Sequence, residues 1–353
     1  VFSIEFYNLN VASAEFEYLG ECLTFSNLTY EAALLDVGSC TFDINILDEY
    51  AKPKYMRRMS TIIVIKENGT CVWFGPMANQ TGDYEDLDGY ITVTGYSWLY
   101  YFKFRNTNKS QIYSQVQQSA IAWDLINTSQ SETNGTLLIT QGLNPTSMLR
   151  DRTYETYEIA EALTNLANVI NGFDFGFEPV LDSDGRLSSV LFNVYYPTKG
   201  SVREDLGKLE MGINVSSVSW TTISELYNTV IVEGSGTGIP LIYESSDPSS
   251  QQAYTRIEGY EKASDVSEYD TLQKKGETLL NENKVEGYRL NLIIMPSSTL
   301  NKSGLEVGDT VICNLKIGNH LEFINRKARV KSIPASVDNE GVKTISLEVE
   351  IYG

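Results

Sequence analysis

The residues able to do chemistry are few and poorly matched. The chain has one histidine, His320, in a turn-like Gly-Asn-His-Leu segment. One imidazole without partners builds neither a Ser-His-Asp nor a Cys-His nucleophile, and it excludes a multi-histidine metal site. Cys22, Cys40, Cys71 and Cys313 lack C-x-x-C spacing, so no zinc centre is expected. Three of them stand in strand-like runs and read as buried free thiols; a disulfide among the first three stays open at this point. Asp182, Asp184 and Gly185 open like a calcium loop, but the twelfth position is Asn193, where a bidentate Glu is required. That segment reads as a hairpin turn. Asp83, Glu85, Asp86 and Asp88 could supply a carboxylate pair for glycoside hydrolysis or for holding a cation. As a charge run ahead of a strand they read as a solvated face.

Gly234–Gly238 (GSGTG) follows a strand but leads into Ile239-Pro240, with no helix start and no Walker lysine. It reads as a flexible connection, not a phosphate cradle. Trp73, Trp98, Trp123 and Trp220 are candidate sugar-stacking platforms; at strand and helix positions they read chiefly as core, with an interface role as the alternative. Asn-x-Ser/Thr triplets start at Asn27, Asn68, Asn79, Asn108, Asn127, Asn134, Asn214 and Asn301. The chain opens VFSIEFYNLN, without a basic-then-apolar leader, so these asparagines read as turn formers and not as glycan acceptors.

Charge narrows the partners. Of 353 residues, 27 are Lys or Arg and 46 are Asp or Glu, a net of -19. That balance opposes non-specific nucleic-acid binding, which needs cations to displace phosphate counterions, and it opposes docking on anionic lipid. No apolar run approaches the roughly 20 residues of a membrane span. The excess is uneven, because residues 301–353 carry seven basic and seven acidic residues. Lys52, Lys54, Arg57 and Arg58 form the only compact basic cluster near the N-terminus and read as a contact for an acidic neighbouring subunit.

The elements around these residues are mostly strands. Period-two alternation recurs through residues 1–105, and Asn68-Gly69 between two apolar runs predicts a tight hairpin. Residues 106–205 read as an α+β unit. Ile112, Val116, Ala120, Trp123 and Ile126 suggest one helical face. Ile159, Leu163, Leu166 and Ile170 suggest another, stopped by Gly172, and a hairpin turns at Asp182–Gly185. Residues 206–245 return to strand, 268–284 read as a helix, and 288–353 are strand again. The expected fold is therefore mostly β: two β-barrels with an α+β insertion. The first barrel spans 1–105 and is completed by 206–245, the insertion spans 106–205, and the second barrel spans 246–353.

The order of segments resembles the tail-tip or baseplate hub proteins of bacteriophages. The resemblance rests on Val72-Trp73-Phe74-Gly75-Pro76-Met77; on the Gly95-x-Ser step of ITVTGYSWLYYFKFR; on the strand from Asn228 to Gly234; on Gly259-Tyr260-Glu261; and on Leu305-x-x-Gly308-Asp309-x-Val311. It covers nearly the whole chain, and the order of the motifs carries it. It implies a non-enzymatic structural hub without cofactor or metal. It further implies a homotrimer whose ring continues the tail tube in the virion and bounds the DNA-exit channel. The partners implied are the distal-tail ring, the tail tube or tape-measure protein, and tip or receptor-binding proteins. DNA would pass without specific binding, and an acidic lining would suit that. Hubs of this kind often continue into a lysin; the sequence stops after its last strand, so hydrolase activity is expected on other chains. The rival readings are a carbohydrate-binding adhesion component and a two-carboxylate cell-wall hydrolase.

Overall fold

The computed structural model describes the chain except for residues 86–87, 108–109, 170, 224, 235–240, 264–268, 297, 303 and 352–353. The first β module contains β1 (Phe2–Asn10), β2 (Glu15–Cys22), β3 (Phe25–Ala33), β4 (Ser39–Asn45), β5 (Thr61–Glu67), β6 (Thr70–Glu85) and β7 (Asp88–Tyr96). The middle unit contains β8 (Gln111–Gln117), α1 (Gln118–Gln130), β9 (Ile139–Gln141), β10 (Leu149–Tyr154), α2 (Ile159–Ala167), β11 (Asp174–Leu181) and β12 (Leu187–Tyr195). Then come β13 (Lys208–Glu210) and β14 (Val215–Thr222). A small unit follows, of β15 (Thr229–Gly234), β16 (Leu241–Ser246), α3 (Pro248–Tyr254), β17 (Glu258–Ala263) and α4 (Tyr269–Asn283). The chain finishes with β18 (Tyr288–Ile294), β19 (Thr310–Ile317), β20 (Leu321–Val337) and β21 (Lys343–Ile351).

The expected hairpin forms between β5 and β6. Asn68 and Gly69 take φ of 51° and 84°, the left-handed pair a two-residue turn demands. The Ile62–Ile65 run is apolar at every position because the strand is buried on both faces. Ile63 and Ile65 enter one core with Ile4, Phe6, Phe42 and Trp73. Ile62 and Val64 enter a second core with Tyr7, Phe74, Leu163 and Phe192. Each such side chain contributes on the order of 2 kcal/mol by burial. The first core runs on without a break into Leu290, Leu347 and Val349 of the C-terminal strands. The middle unit packs on the opposite face of β1 and β5. A third, small core holds Val230, Val232, Leu272 and Leu280 between the three-stranded sheet and α4.

The protein is mostly β, as expected, but the described residues form no closed barrel. One large sheet runs β14-β18-β21-β20-β3-β4-β7-β6-β5-β1-β2, with β13 and β19 paired off this path. Closure fails for a visible reason. β3, free on one side of β4, takes its second partner from the other end of the chain, and Leu28 pairs with Val337 and Ala33 with Ser332. The strands of residues 206–245 also do not complete the first module. β13 pairs with β19, β14 pairs with β18, and β15 and β16 belong to a separate sheet ordered β16-β15-β17. Ile112 and Val116 are not helical either, because β8 is a strand paired with β10 and the helix begins at Gln118. Helix α2 ends at Ala167, and the left-handed residue beyond it is Asn171, not Gly172; Ile170 lies outside the described residues.

The two halves of the large sheet repeat one connectivity. In chain order, β3, β4, β5, β6 and β7 correspond to β14, β18, β19, β20 and β21. Both halves run long strand, hairpin partner, then the two earlier strands: β6-β7-β4-β3 and β20-β21-β18-β14. Both long strands leave their first partner and continue along a second, with a register shift at Met77/Asn79 in one and Val330/Ser332 in the other. The three-stranded unit is inserted between β14 and β18, where the first half has only the turn between β3 and β4.

Candidate assembly surfaces

Of the residues singled out for catalysis, Asp182 holds a turn and the other described ones are exposed on turns or near a hairpin tip. Asp182 Oδ1 accepts from the backbone N–H groups of Asp184 and Arg186, both at 2.9 Å, and closes the β11–β12 turn. Asp83, Glu85 and Asp88 are exposed near the tip of the β6–β7 hairpin; Asp86 lies outside the described residues. Residues 235–238 of the glycine-rich run do too. His320 is exposed on the β19–β20 turn, with its ring 5.6 Å from that of Trp220 on β14. Trp73 and Trp98 are buried, Trp123 is half-buried, and Trp220 is 40% exposed. Asn27, Asn68 and Asn134 occupy left-handed turns or bulges.

All four cysteines are free. Burial pushes the Cys71 and Cys313 thiols up to about 12 and also raises those of Cys22 and Cys40. Thiolate is therefore scarce at pH 8, and a thiol reagent should label no cysteine rapidly in the folded protein and all four after denaturation. Fast stoichiometric labelling of native protein would contradict this burial. Among the described residues no three His, Cys, Asp or Glu side chains are placed to hold a metal ion, and no helix is long and apolar enough to cross a membrane.

The residues that carried the resemblance are points of close contact. Trp73 Nε1 donates to the Glu31 carbonyl at 3.2 Å, tying β6 to β3. A Cβ on Gly75 would lie 1.9 Å from the Tyr96 carbonyl oxygen. One on Gly95 would lie within 3.0 Å of Cys40 Sγ, Ile63 Cδ1 and the Trp73 ring. Gly259 lies against the ring of Tyr227, and Gly234 ends β15. Asn228 is fully buried; its Nδ2 donates to the Thr255 carbonyl at 2.7 Å and its Oδ1 accepts from Ile257 N–H at 3.0 Å. Gly308, at φ 94°, meets Gly200, at φ 87°, backbone against backbone. Beside them the buried Asp309 accepts from Ser201 N–H at 2.8 Å, Glu306 N–H at 3.1 Å and Arg203 Nη1 at 3.3 Å. That carboxylate pins the segment leaving the middle unit to the entry of β19.

A second buried network was not anticipated. Lys66 Nζ donates to Glu5 Oε1 at 2.7 Å and to the Gly185 carbonyl at 2.7 Å. Tyr7 Oη donates to Glu5 Oε2 at 2.6 Å and accepts from Leu187 N–H at 3.2 Å. Burial first, and then the bond to Glu5, hold the Tyr7 phenol well above its ordinary value. This chain of bonds fastens the β11–β12 hairpin to the first module. The signal in the sequence was two charges, Glu5 and Lys66, inside otherwise apolar strands.

Of the basic cluster, Lys52 and Lys54 pair with Glu49, whose carboxyl their hydrogen bonds hold below its usual range. Arg57 and Arg58 are exposed and make no ion pair among the described residues, and the same is true of Lys208, Lys316, Arg326 and Lys327. The outward face of the large sheet is hydrophilic. Strands β3, β4, β6 and β7 contain no Lys or Arg, but do contain Glu31, Asp43, Asp83, Glu85 and Asp88. Their threonines and asparagines are cross-bonded: Thr29 to Thr41 at 2.6 Å, Thr92 and Asn27 to Asp43 at 2.6 and 2.7 Å. In the other half Arg289 pairs with Glu350 at 2.7 Å and Glu348 at 3.2 Å, and Lys331 with Glu350 at 3.6 Å, while Lys316, Arg326 and Lys327 on β19 and β20 stay outside these pairs.

A cleft of about 820 Å³ lies where the two halves and β11 meet, lined in part by Val72, Phe177 and Leu305. Three of its carboxylates are engaged: Glu67 by Lys343 at 2.5 Å, Glu306 by Lys199 at 3.4 Å, and Glu178 by the Tyr195 hydroxyl.

No protein-family model matches the sequence, and no curated protein matches it. Solved structures do. A tail protein from Neisseria meningitidis MC58 superposes with a TM-score of 0.64 at 12% identity, covering 99% of this chain and 96% of that one. The 43 kDa tail protein of prophage MuSo2 from Shewanella oneidensis gives 0.61 at 11% identity, covering 98% of each chain. Prophage tail protein gp18 from Listeria monocytogenes EGD-e gives 0.58 at 9% identity, covering 98% and 94%. Over essentially its full length, the chain has the fold of phage tail proteins.

Proposed function

We propose that the chain is a structural, non-enzymatic component of the phage tail baseplate: a hub at the distal end of the tail. In this reading three copies form a ring that continues the tail tube, joins it to tip or receptor-binding parts, and bounds the channel through which DNA leaves. The observation that carries it is the hydrophilic outward wall of the eight-strand run β14-β18-β21-β20-β3-β4-β7-β6. Half of that wall is acidic without cations, and in the other half Arg289 and Lys331 are bonded to glutamates, leaving Arg326 and Lys327 on the stretch of β20 that pairs with β19. Such a wall offers few free cations to displace counterions from phosphate, so a duplex would slide past it without sticking. The middle unit, on the far side of β1 and β5, would face the surrounding distal-tail ring or neighbouring subunits, and the free Arg57 and Arg58 would meet acidic groups there.

The test has two arms. Light scattering on the purified chain should give the mass of three copies. Antibody raised against the chain should label the tip of the tail in micrographs of the particle. Label confined to the capsid, or a purified chain that turns over host-wall glycan, would sink the proposal.

A further inference from the structure

We propose that the outer half of β6 and strand β14 are two halves of one joint, each covered by the other on a second copy of this chain. The inference rests on the ring reading above and specifies its contact.

The chain already contains this joint once. Within one copy, the last strand of the first half, β3, pairs antiparallel with the outer part of the long strand of the second half, β20. By the repeated connectivity, β14 corresponds to β3 and β6 to β20. The equivalent joint would thus run between β14 and the outer part of β6. Within one copy these two strands lie at opposite ends of the eight-strand run and do not pair, which leaves the joint to form between copies. Both edges are open: β5 accompanies β6 only as far as Pro76, and among the described residues β14 has β18 as its one long partner.

Register follows from the matching shifts in the long strands. Setting Asn79 on Ser332 and Ser219 on Thr29 turns the observed pairs Leu28–Val337, Thr29–Ser336 and Tyr30–Ala335 into Val218–Tyr84, Ser219–Asp83 and Trp220–Gly82. The exposure of these residues argues the same way. At the internal joint Leu28, Tyr30, Ala335 and Val337 are 1%, 8%, 4% and 6% exposed. Their counterparts at the open edges, Trp220 and Tyr84, are 40% and 53% exposed, although both stand on the core-facing side of the sheet. A large aromatic, Trp220, would face glycine, as Tyr30 faces alanine. Open edges with exposed aromatics pair unselectively unless something covers them, and joining them head to tail generates a ring when the rotation between copies closes and a filament when it does not.

The experiment is cysteine cross-linking of the full chain under mild oxidation. Two variants are made, Asp83→Cys with Ser219→Cys and Tyr84→Cys with Val218→Cys. Neighbouring pairs of an antiparallel ladder alternate in spacing, so one of the two falls on the closer type, within reach of a disulfide. Cross-linked species ending at three chains are expected, with none from the parent sequence or from Asp83→Cys with Thr222→Cys. In addition, Trp220→Glu should weaken self-association at least tenfold and leave the unfolding midpoint of the single chain unchanged. A trimer by light scattering that neither variant cross-links overturns the joint and leaves the ring. Cross-links that continue past three keep the joint and remove the ring of three. A chain that stays monomeric and uncross-linked at every concentration overturns both.

Discussion

Lys66→Met should lower the unfolding free energy of the chain by about 3–5 kcal/mol. Lys66 and Glu5 are 7% exposed each, and the ammonium is the bridge between the Glu5 carboxylate and the Gly185 carbonyl. Removing the cation leaves a buried carboxylate whose remaining partner is the Tyr7 hydroxyl, and an uncompensated buried charge is costly. The loss should be read in urea titrations as a lower midpoint. Replacing both partners, Glu5→Met with Lys66→Met, should recover much of it, because no unpaired charge remains. A single variant within 1 kcal/mol of the parent (about a fivefold change in the folding constant) would show that the pair is not the clasp described.

Gly75→Ala should cost at least about 3 kcal/mol, or prevent folding altogether. The new methyl would sit 1.9 Å from the Tyr96 oxygen and 2.8 Å from its carbonyl carbon. Those are main-chain atoms, and they cannot rotate away as a side chain could. The adjacent Trp73 and Phe74 belong to opposite cores, so a shift of β6 disturbs both. Gly176→Ala is the control. Its methyl would meet nothing closer than a Tyr195 ring carbon at 4.0 Å, and its stability should match the parent within about 0.5 kcal/mol. Equal effects for the two glycines would refute the contact argument.

Local signals in the sequence were read well where a local cause exists. Asn68-Gly69 announces its own turn, whereas the run containing Ile62–Ile65, read as an alternating strand, is buried on both faces, with alternate residues entering two different cores. Glycines 75, 95 and 308 entered the sequence reading only through the resemblance, because the atoms that demand a small residue there come from distant segments. Ile112 and Val116 misled because spacing alone does not separate helix from strand; pairing with β10 makes β8 a strand, and the bulge at Gln115 (φ 53°) leaves Ile112 exposed and Val116 half-buried. The β3–β20 pairing was invisible, because strands that far apart in the chain leave no short-range trace. So was the repetition of one half in the other: Tyr30 answers to Trp220 and Thr41 to Asn291, and the unit between β14 and β18 hides the alignment. For the assembly surfaces, charge counts located the acidic excess but not the pairing of Arg289 and Lys331 with glutamates.

The ladder from Leu28–Val337 to Ala33–Ser332 also has a consequence for synthesis. On the ribosome, β3 is made long before β20. A nascent chain therefore holds one raw hydrogen-bonding edge unsatisfied until β20 emerges, and contacts of such long sequence separation form slowly. Until β20 arrives, the β3 edge is itself a template for stray pairing, so correct closure of this ladder competes with contacts between nascent chains.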